Sequence, residues 1–127
     1  MSGPARRRRT DPRRRLGTAG EAAVAAWYEA AGYRVLDRNW RCRDGELDLV
    51  VSRDTTLVFC EVKTRVSARF GAPVEAVTAV KQRRLRGLAV RWLVEHDVFQ
   101  RALRFDVASV TRAPDGQLVV DVLESAF

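Results

Sequence analysis

The stretch GELDLVVSRDTTLVFCEVKTR, residues 45–65, decides how the rest of the chain is read. Its halves GELDLVVS (45–52) and TLVFCEVK (56–63) are rich in β-branched and large apolar residues, and they flank the turn-forming RDT. That pattern predicts a β-hairpin. A four-residue loop at 53–56 and a two-residue loop at 54–55 both pair residues whose numbers sum to 109. Leu47, Leu49, Val51, Val58, Cys60 and Val62 then make one apolar face. The other face carries Glu46, Asp48, Glu61 and Lys63 together with Val50 and Phe59. In this register Asp48 lies opposite Glu61, and Glu46 opposite Lys63. Two carboxylates facing each other across antiparallel strands have Cβ atoms roughly 4.5–5.5 Å apart and destabilise the sheet. Something positive must sit between them. Lys63 is one candidate and a divalent metal ion is the other. Hard oxygen ligands with room for waters suit Mg²⁺ or Mn²⁺.

Lysine usage sharpens the point. Of 23 basic residues only Lys63 and Lys81 are lysine. A compact ammonium can orient a metal-bound water, which a planar guanidinium does poorly. The plain alternative is chance placement in an arginine-rich composition, with Glu61 and Lys63 as an ion pair on a solvent face.

Working outward, TAGEAAVAAWYEAAGY predicts a helix over about 18–31, with Val24, Trp27, Tyr28 and Ala31 as its apolar stripe. Thr18 and Glu21 fit a capping box and Gly32 fits the position just past the helix end. A short strand at 33–37 runs into a loop before the hairpin, and RVSARFGAP (65–73) is a second loop. Residues 78–95 form a helix with Leu85, Leu88, Ala89, Trp92 and Leu93 on one side and Arg83, Arg84, Arg86 and Arg91 on the other. Strands at 102–110 and 117–123 are joined by the turn APDG (113–116). The order is αβββαββ, which predicts an α/β fold with a mixed central sheet flanked by helices.

Composition narrows the function classes. The net charge is +7, yet residues 1–15 hold seven arginines against one acid, Asp11, while the remaining chain holds 16 basic and 15 acidic side chains. The basicity therefore belongs to an arginine-rich tail, 1–15, expected to be disordered, ahead of a folded domain at 16–127. Such arms contact nucleic acid by displacing counterions from phosphates, or they are simply solvated. No run approaches the roughly 18 apolar residues of a membrane span. Glu21 and Glu29 interrupt the only stretch resembling an export signal. Cys42 and Cys60 make neither a disulfide framework nor a metal pattern. These features imply a cytoplasmic protein with no membrane association.

At this point the residues resemble a known family. Asp48 followed by Glu61-Val62-Lys63 after a turn is similar to the metal site of the PD-(D/E)xK nuclease superfamily, with Leu47 where the superfamily's name has proline. Glu21 resembles the helical acid of its Holliday-junction-resolvase-like branch. GELDLV, VFCEVKTR, FGAPVEAV, KQRRL and RFDV together resemble the YraN-like group, uncharacterised protein family 0102, over about residues 16–123. The resemblance implies a restriction-endonuclease-like fold and a Mg²⁺- or Mn²⁺-dependent endonuclease acting on nucleic acid, with structured DNA the expected substrate. A non-catalytic nucleic-acid-binding module of the same fold is the alternative, and a homodimer is compatible with either.

The expected site follows. Asp48 and Glu61 bind metal, Lys63 is catalytic, and Glu21 is an outer or second-metal ligand, although by spacing alone Glu21 is the acid of the capping box. Glu46 is read chiefly as the cross-strand partner of Lys63. Arg65 and Arg69 beside the 65–73 loop, and Lys81 and Gln82 at a helix start where anions are favoured, are candidate phosphate contacts. Asp106 is read as the salt-bridge partner of Arg104 or of another arginine at the edge of the core. His96, the one histidine, belongs at a helix C-terminus rather than in catalysis.

Overall fold

In the computed structural model, the backbone is described for residues 12–65, 77–99 and 102–127, and side chains from Leu16 onward. Seven elements run in the order α1 (Pro12–Ala30), β1 (Arg34–Cys42), β2 (Gly45–Arg53), β3 (Thr56–Arg65), α2 (Ala79–Glu95), β4 (Ala102–Arg112) and β5 (Leu118–Leu123). This is the expected αβββαββ order. The strands form one sheet, β1-β2-β3-β4-β5, in which only β3 and β4 are parallel. Helix α2 makes the crossover between those two, so the sheet is mixed and the α/β, restriction-endonuclease-like architecture holds.

Helix α1 starts earlier than its sequence suggests. It begins at Pro12, and proline suits a first helical position because its missing N–H has no partner there in any case. Thr18 and Glu21 are therefore interior positions and the capping-box reading of Glu21 is wrong. The basic segment 1–15 ends in helix; residues 1–11 lie outside the described residues. The buried face is Gly20, Val24, Ala25 and Tyr28. Trp27 is 37% exposed, so the expected stripe is rotated by about one residue. At the far end Gly32, at φ +90°, donates to the Glu29 carbonyl and Tyr33 N–H to that of Tyr28, both at 3.0 Å. This is the Schellman closure that glycine's freedom at positive φ permits.

Strand β1 spans nine residues, where a short strand and a loop were expected. It is an edge strand with a bulge between Val35 and Asp37, and its side chains alternate only between exposed and half-buried. A period-2 apolar signal has little to build on in such a strand. The hairpin register is as expected from Leu49↔Cys60 through Arg53↔Thr56, with the two-residue loop Asp54-Thr55, but the pairing stops there, and the expected pairs Asp48↔Glu61 and Glu46↔Lys63 do not form.

Two cores sandwich the sheet. On the α2 side Val50, Leu57, Phe59, Leu85, Leu88, Ala89, Trp92 and Phe105 pack together. On the α1 side Val24, Tyr28, Leu49, Val51, Val58, Cys60 and Ala108 do so. Helix α2 is capped by Thr78, whose Oγ1 accepts from Lys81 N–H at 3.2 Å, and ends at His96. His96 Nδ1 donates to the Trp92 carbonyl at 2.8 Å and the ring stacks on that of Trp92, in agreement with a helix-end role. No helix among the described residues is long and apolar enough to cross a membrane.

Candidate active site

Strand β3 is buried from Leu57 to Cys60 and half-buried from Glu61 onward. Its second half thus emerges at one end of the sheet, and four other elements deliver side chains to that end. Asp48 comes from β2, Glu21 from α1, Asn39 from β1 and Lys81 from the first turn of α2.

Asp48 sits where the β2–β3 pairing stops. The paired residues end at Leu49↔Cys60, and the Val62 N–H donates instead to Asp48 Oδ2 at 2.9 Å. Leu49 belongs to the α1-side core and Leu47 to the α2-side core. Residues two apart on a regular strand would share a face. The strand therefore turns over at Asp48, and the expectation that Leu47 joins Leu49 on one face is corrected. Leu47, Phe59 and Leu85 line the small pocket beside Asp48 and Glu61. Burial there, reinforced by the Glu61 charge, raises the Asp48 carboxyl to about 7.

Glu61 is the hub. Its side chain is 10% exposed, and Oε1 lies 3.0 Å from Lys81 Nζ and 3.4 Å from Lys63 Nζ. The two ammonium groups compete. Burial, followed by the presence of Lys81, lowers the Lys63 pKa. Burial also opposes the Lys81 charge, but hydrogen bonding to Lys63 and Glu61 and the pull of both acids raise its pKa.

Glu21 approaches because α1 crosses β3 closely. A Cβ on Gly20 would collide with the Thr64 side chain, so only glycine lets the helix sit this near. Asn39, in the left-handed conformation at φ 50°, presents its amide nitrogen to Glu21 Oε2 and Oε1 at 3.0 and 3.3 Å in the orientation that satisfies both groups. Burial, then the Glu46 charge, raises the Glu21 pKa. Nothing in the sequence pattern marked Asn39, whose only signal is an asparagine in a polar edge strand.

Several expectations sort differently. Glu46 pairs with Arg41 on β1 at 3.0 Å, and this replaces the expected partnership with Lys63. Lys81, read as a phosphate contact, is drawn onto Glu61. Gln82 donates to the Val77 carbonyl at 3.2 Å and so serves the helix start. Arg65 is the last residue of β3, and Arg69 lies outside the described residues. Asp106 pairs with Arg104 as expected.

Among the described residues no three His, Cys, Asp or Glu side chains form a ready metal cage. Asp48 and Glu61 nonetheless fit a hard divalent cation. Both are oxygen donors, they repel one another at the pocket, and Mg²⁺ commonly takes one or two carboxylates plus waters and substrate oxygens.

A stability test follows from Asp48. In the unfolded chain its carboxyl ionises near 3.8; in the folded, metal-free protein it does so near 7. Its stabilising contribution is complete below pH 3.8 and is lost as pH rises through 7. Asp48→Asn should therefore gain stability over wild type across that window. The gain should reach a few kcal/mol at most, since each tenfold change in proton affinity between the folded and unfolded chains is worth about 1.4 kcal/mol. Urea melts in EDTA at pH 5 and pH 8 measure it; an equal difference at both would contradict the buried-acid assignment.

Residues 20–110 match the uncharacterised protein family UPF0102. A UPF0102 protein of Beutenbergia cavernae is 54% identical over 108 residues, covering 85% of this chain and 92% of that protein. One from Frankia alni is 51% identical over 112 residues, with 88% and 93% covered. Another from Nocardia farcinica is 44% identical over 119 residues, with 94% of each chain covered. The segment matched by the family carries Glu21, Asn39, Asp48, Glu61, Lys63 and Lys81, and the chain belongs to family UPF0102.

Proposed function

We propose that this protein is a Mg²⁺- or Mn²⁺-dependent nuclease that hydrolyses phosphodiester bonds in nucleic acid, with structured DNA as its preferred substrate. The observation that carries this reading is Asp48 buried beside Glu61, with the Lys63 ammonium on the same carboxylate. Asp48 and Glu61 would hold the cation, and Glu21, whose charge acts on Asp48, would serve as an outer or second-metal ligand. When bound, the cation polarises the phosphate and lowers the pKa of a water.

The chain's own residues do the rest. Val62 N–H fixes one Asp48 oxygen, and so orients the other. Asn39 holds Glu21 in place. Lys63 Nζ orients the attacking water and offsets negative charge on the phosphate oxygens in the transition state. The water gives up a proton to solvent as its oxygen forms its bond to phosphorus, the ester P–O bond breaks, and the departing oxygen takes a proton from solvent. Arg83 and Arg84 are exposed on α2 next to Lys81 and supply positive charge toward the substrate backbone.

The test is cleavage by purified protein with Mg²⁺ or Mn²⁺ against single strands, duplexes, flaps and four-way junctions. Calorimetry should detect Mn²⁺ binding that disappears in the Asp48→Asn, Glu61→Gln double variant. Equal Mn²⁺ affinity in both proteins would remove the metal site. Binding of DNA without cleavage, under every substrate and metal, would favour the non-cutting module of the same fold.

A further inference from the structure

We propose that Lys81 is a built-in countercation of the carboxylate site, occupying Glu61 in the metal-free protein and competing there with the divalent ion. The inference rests on the metal-site reading above and adds an element of control to it. The chain's only two lysines, twenty-one arginines notwithstanding, meet on one carboxylate oxygen, Glu61 Oε1, at 3.0 and 3.4 Å. They come from different elements, β3 and α2, so local sequence does not bring them together.

The helix gives Lys81 no reason to be there. A cation in a first turn opposes the helix dipole, and α2 carries no acid in that turn to compensate. Its placement is therefore set by Glu61. Lysine also suits the task better than arginine, since its compact charge on a flexible stem can leave a single oxygen without dismantling a bidentate pair. A divalent ion bound at Glu61 would repel the ammonium and share its acceptor. Each cation thus weakens the other's hold, and Lys81 sets the metal concentration at which the site fills.

Calorimetric titration with Mn²⁺ alone, without nucleic acid, tests this. Lys81→Met should bind Mn²⁺ roughly threefold to thirtyfold more tightly than wild type, the range for losing a competing, partly buried ion pair. Lys81→Arg keeps a cation on α2 and should stay within about threefold of wild type. Melting curves confirm that both variants are folded, as expected for a side chain one-third exposed. Mn²⁺ binding by Lys81→Met but not by wild type would support the proposal in its strongest form. If wild type binds Mn²⁺ and Lys81→Met binds it equally or more weakly, the competition is refuted while the metal site stands. Equal tightening in Lys81→Arg would assign the effect to packing and overturn the proposal. If neither wild type nor Lys81→Met binds Mn²⁺, the metal-site reading fails and this inference fails with it.

Discussion

Arg104→Met is expected to destabilise the protein by about 3–5 kcal/mol, the range for removing one partner of a buried ion pair. Its partner Asp106 is fully buried, opposite Cys60 in the β3–β4 pairing and one residue along from the strand position facing Glu61. The carboxylate accepts from Tyr28 Oη at 2.6 Å, from Arg104 Nε and Nη2 at 2.9 Å each, and from Ser125 N–H at 3.0 Å. Arg104 also donates to Tyr33 Oη at 3.0 Å and pairs with Glu124 at 3.1 Å. These contacts tie the end of α1, the middle of β4 and the C-terminus together. Hydrogen bonding to Asp106 holds the guanidinium pKa well above its ordinary value, and burial pushes the Tyr28 hydroxyl up so that it stays a donor. Without Arg104 the carboxylate keeps two donors but loses its countercharge. It must then protonate or stay buried as an unpaired charge. Equilibrium urea unfolding measures the cost. A loss below about 1 kcal/mol would mean the pair behaves like an exposed one. Mn²⁺ affinity should change little, because the hydrogen bonds and ion pairs of this network run to Tyr28, Tyr33, Glu124 and Ser125 and to none of Glu21, Asp48, Glu61, Lys63 or Lys81.

The sequence was most legible where a repeat distance forced an outcome. Alternation along 45–63 set the hairpin, and its register held from Leu49↔Cys60 to Arg53↔Thr56. Gly32 marked the end of α1, and the 3.6-residue pattern of α2 placed Leu85, Leu88, Ala89 and Trp92 inward. Legibility failed where the pattern itself breaks. The turn-over of β2 at Asp48 sends Leu47 to the opposite core, and no alternation rule anticipates a side chain taking over a ladder hydrogen bond. Edge strand β1 has too little apolar contrast to read, and so Asn39 and the Arg41–Glu46 pair stayed hidden. The meeting of Lys63 and Lys81 depends on how α2 returns to the sheet. Composition flagged both residues but could not join them.

Lys63→Met should reduce cleavage by about 10²–10³-fold, the usual cost of removing one transition-state contact. Methionine keeps most of the aliphatic stem and removes the ammonium. Folding should barely change, because the burial that lowers the Lys63 pKa already disfavours its charge. Nucleic-acid binding should persist, since the exposed arginines Arg83 and Arg84 are untouched. Lys81, 3.0 Å from Glu61 in the metal-free wild type, is the second ammonium at this end of the sheet and a source to test for any remnant of activity. The Lys63→Met, Lys81→Met double variant identifies it: residual cleavage that vanishes in the double is carried by Lys81. Three measurements on one preparation decide the assignment: cleavage rate, binding and melting temperature. A fall in rate with binding and melting intact places Lys63 in the chemistry. A fall that tracks melting would make Lys63 only a structural partner of Glu61, and undiminished cleavage would remove it from the site altogether.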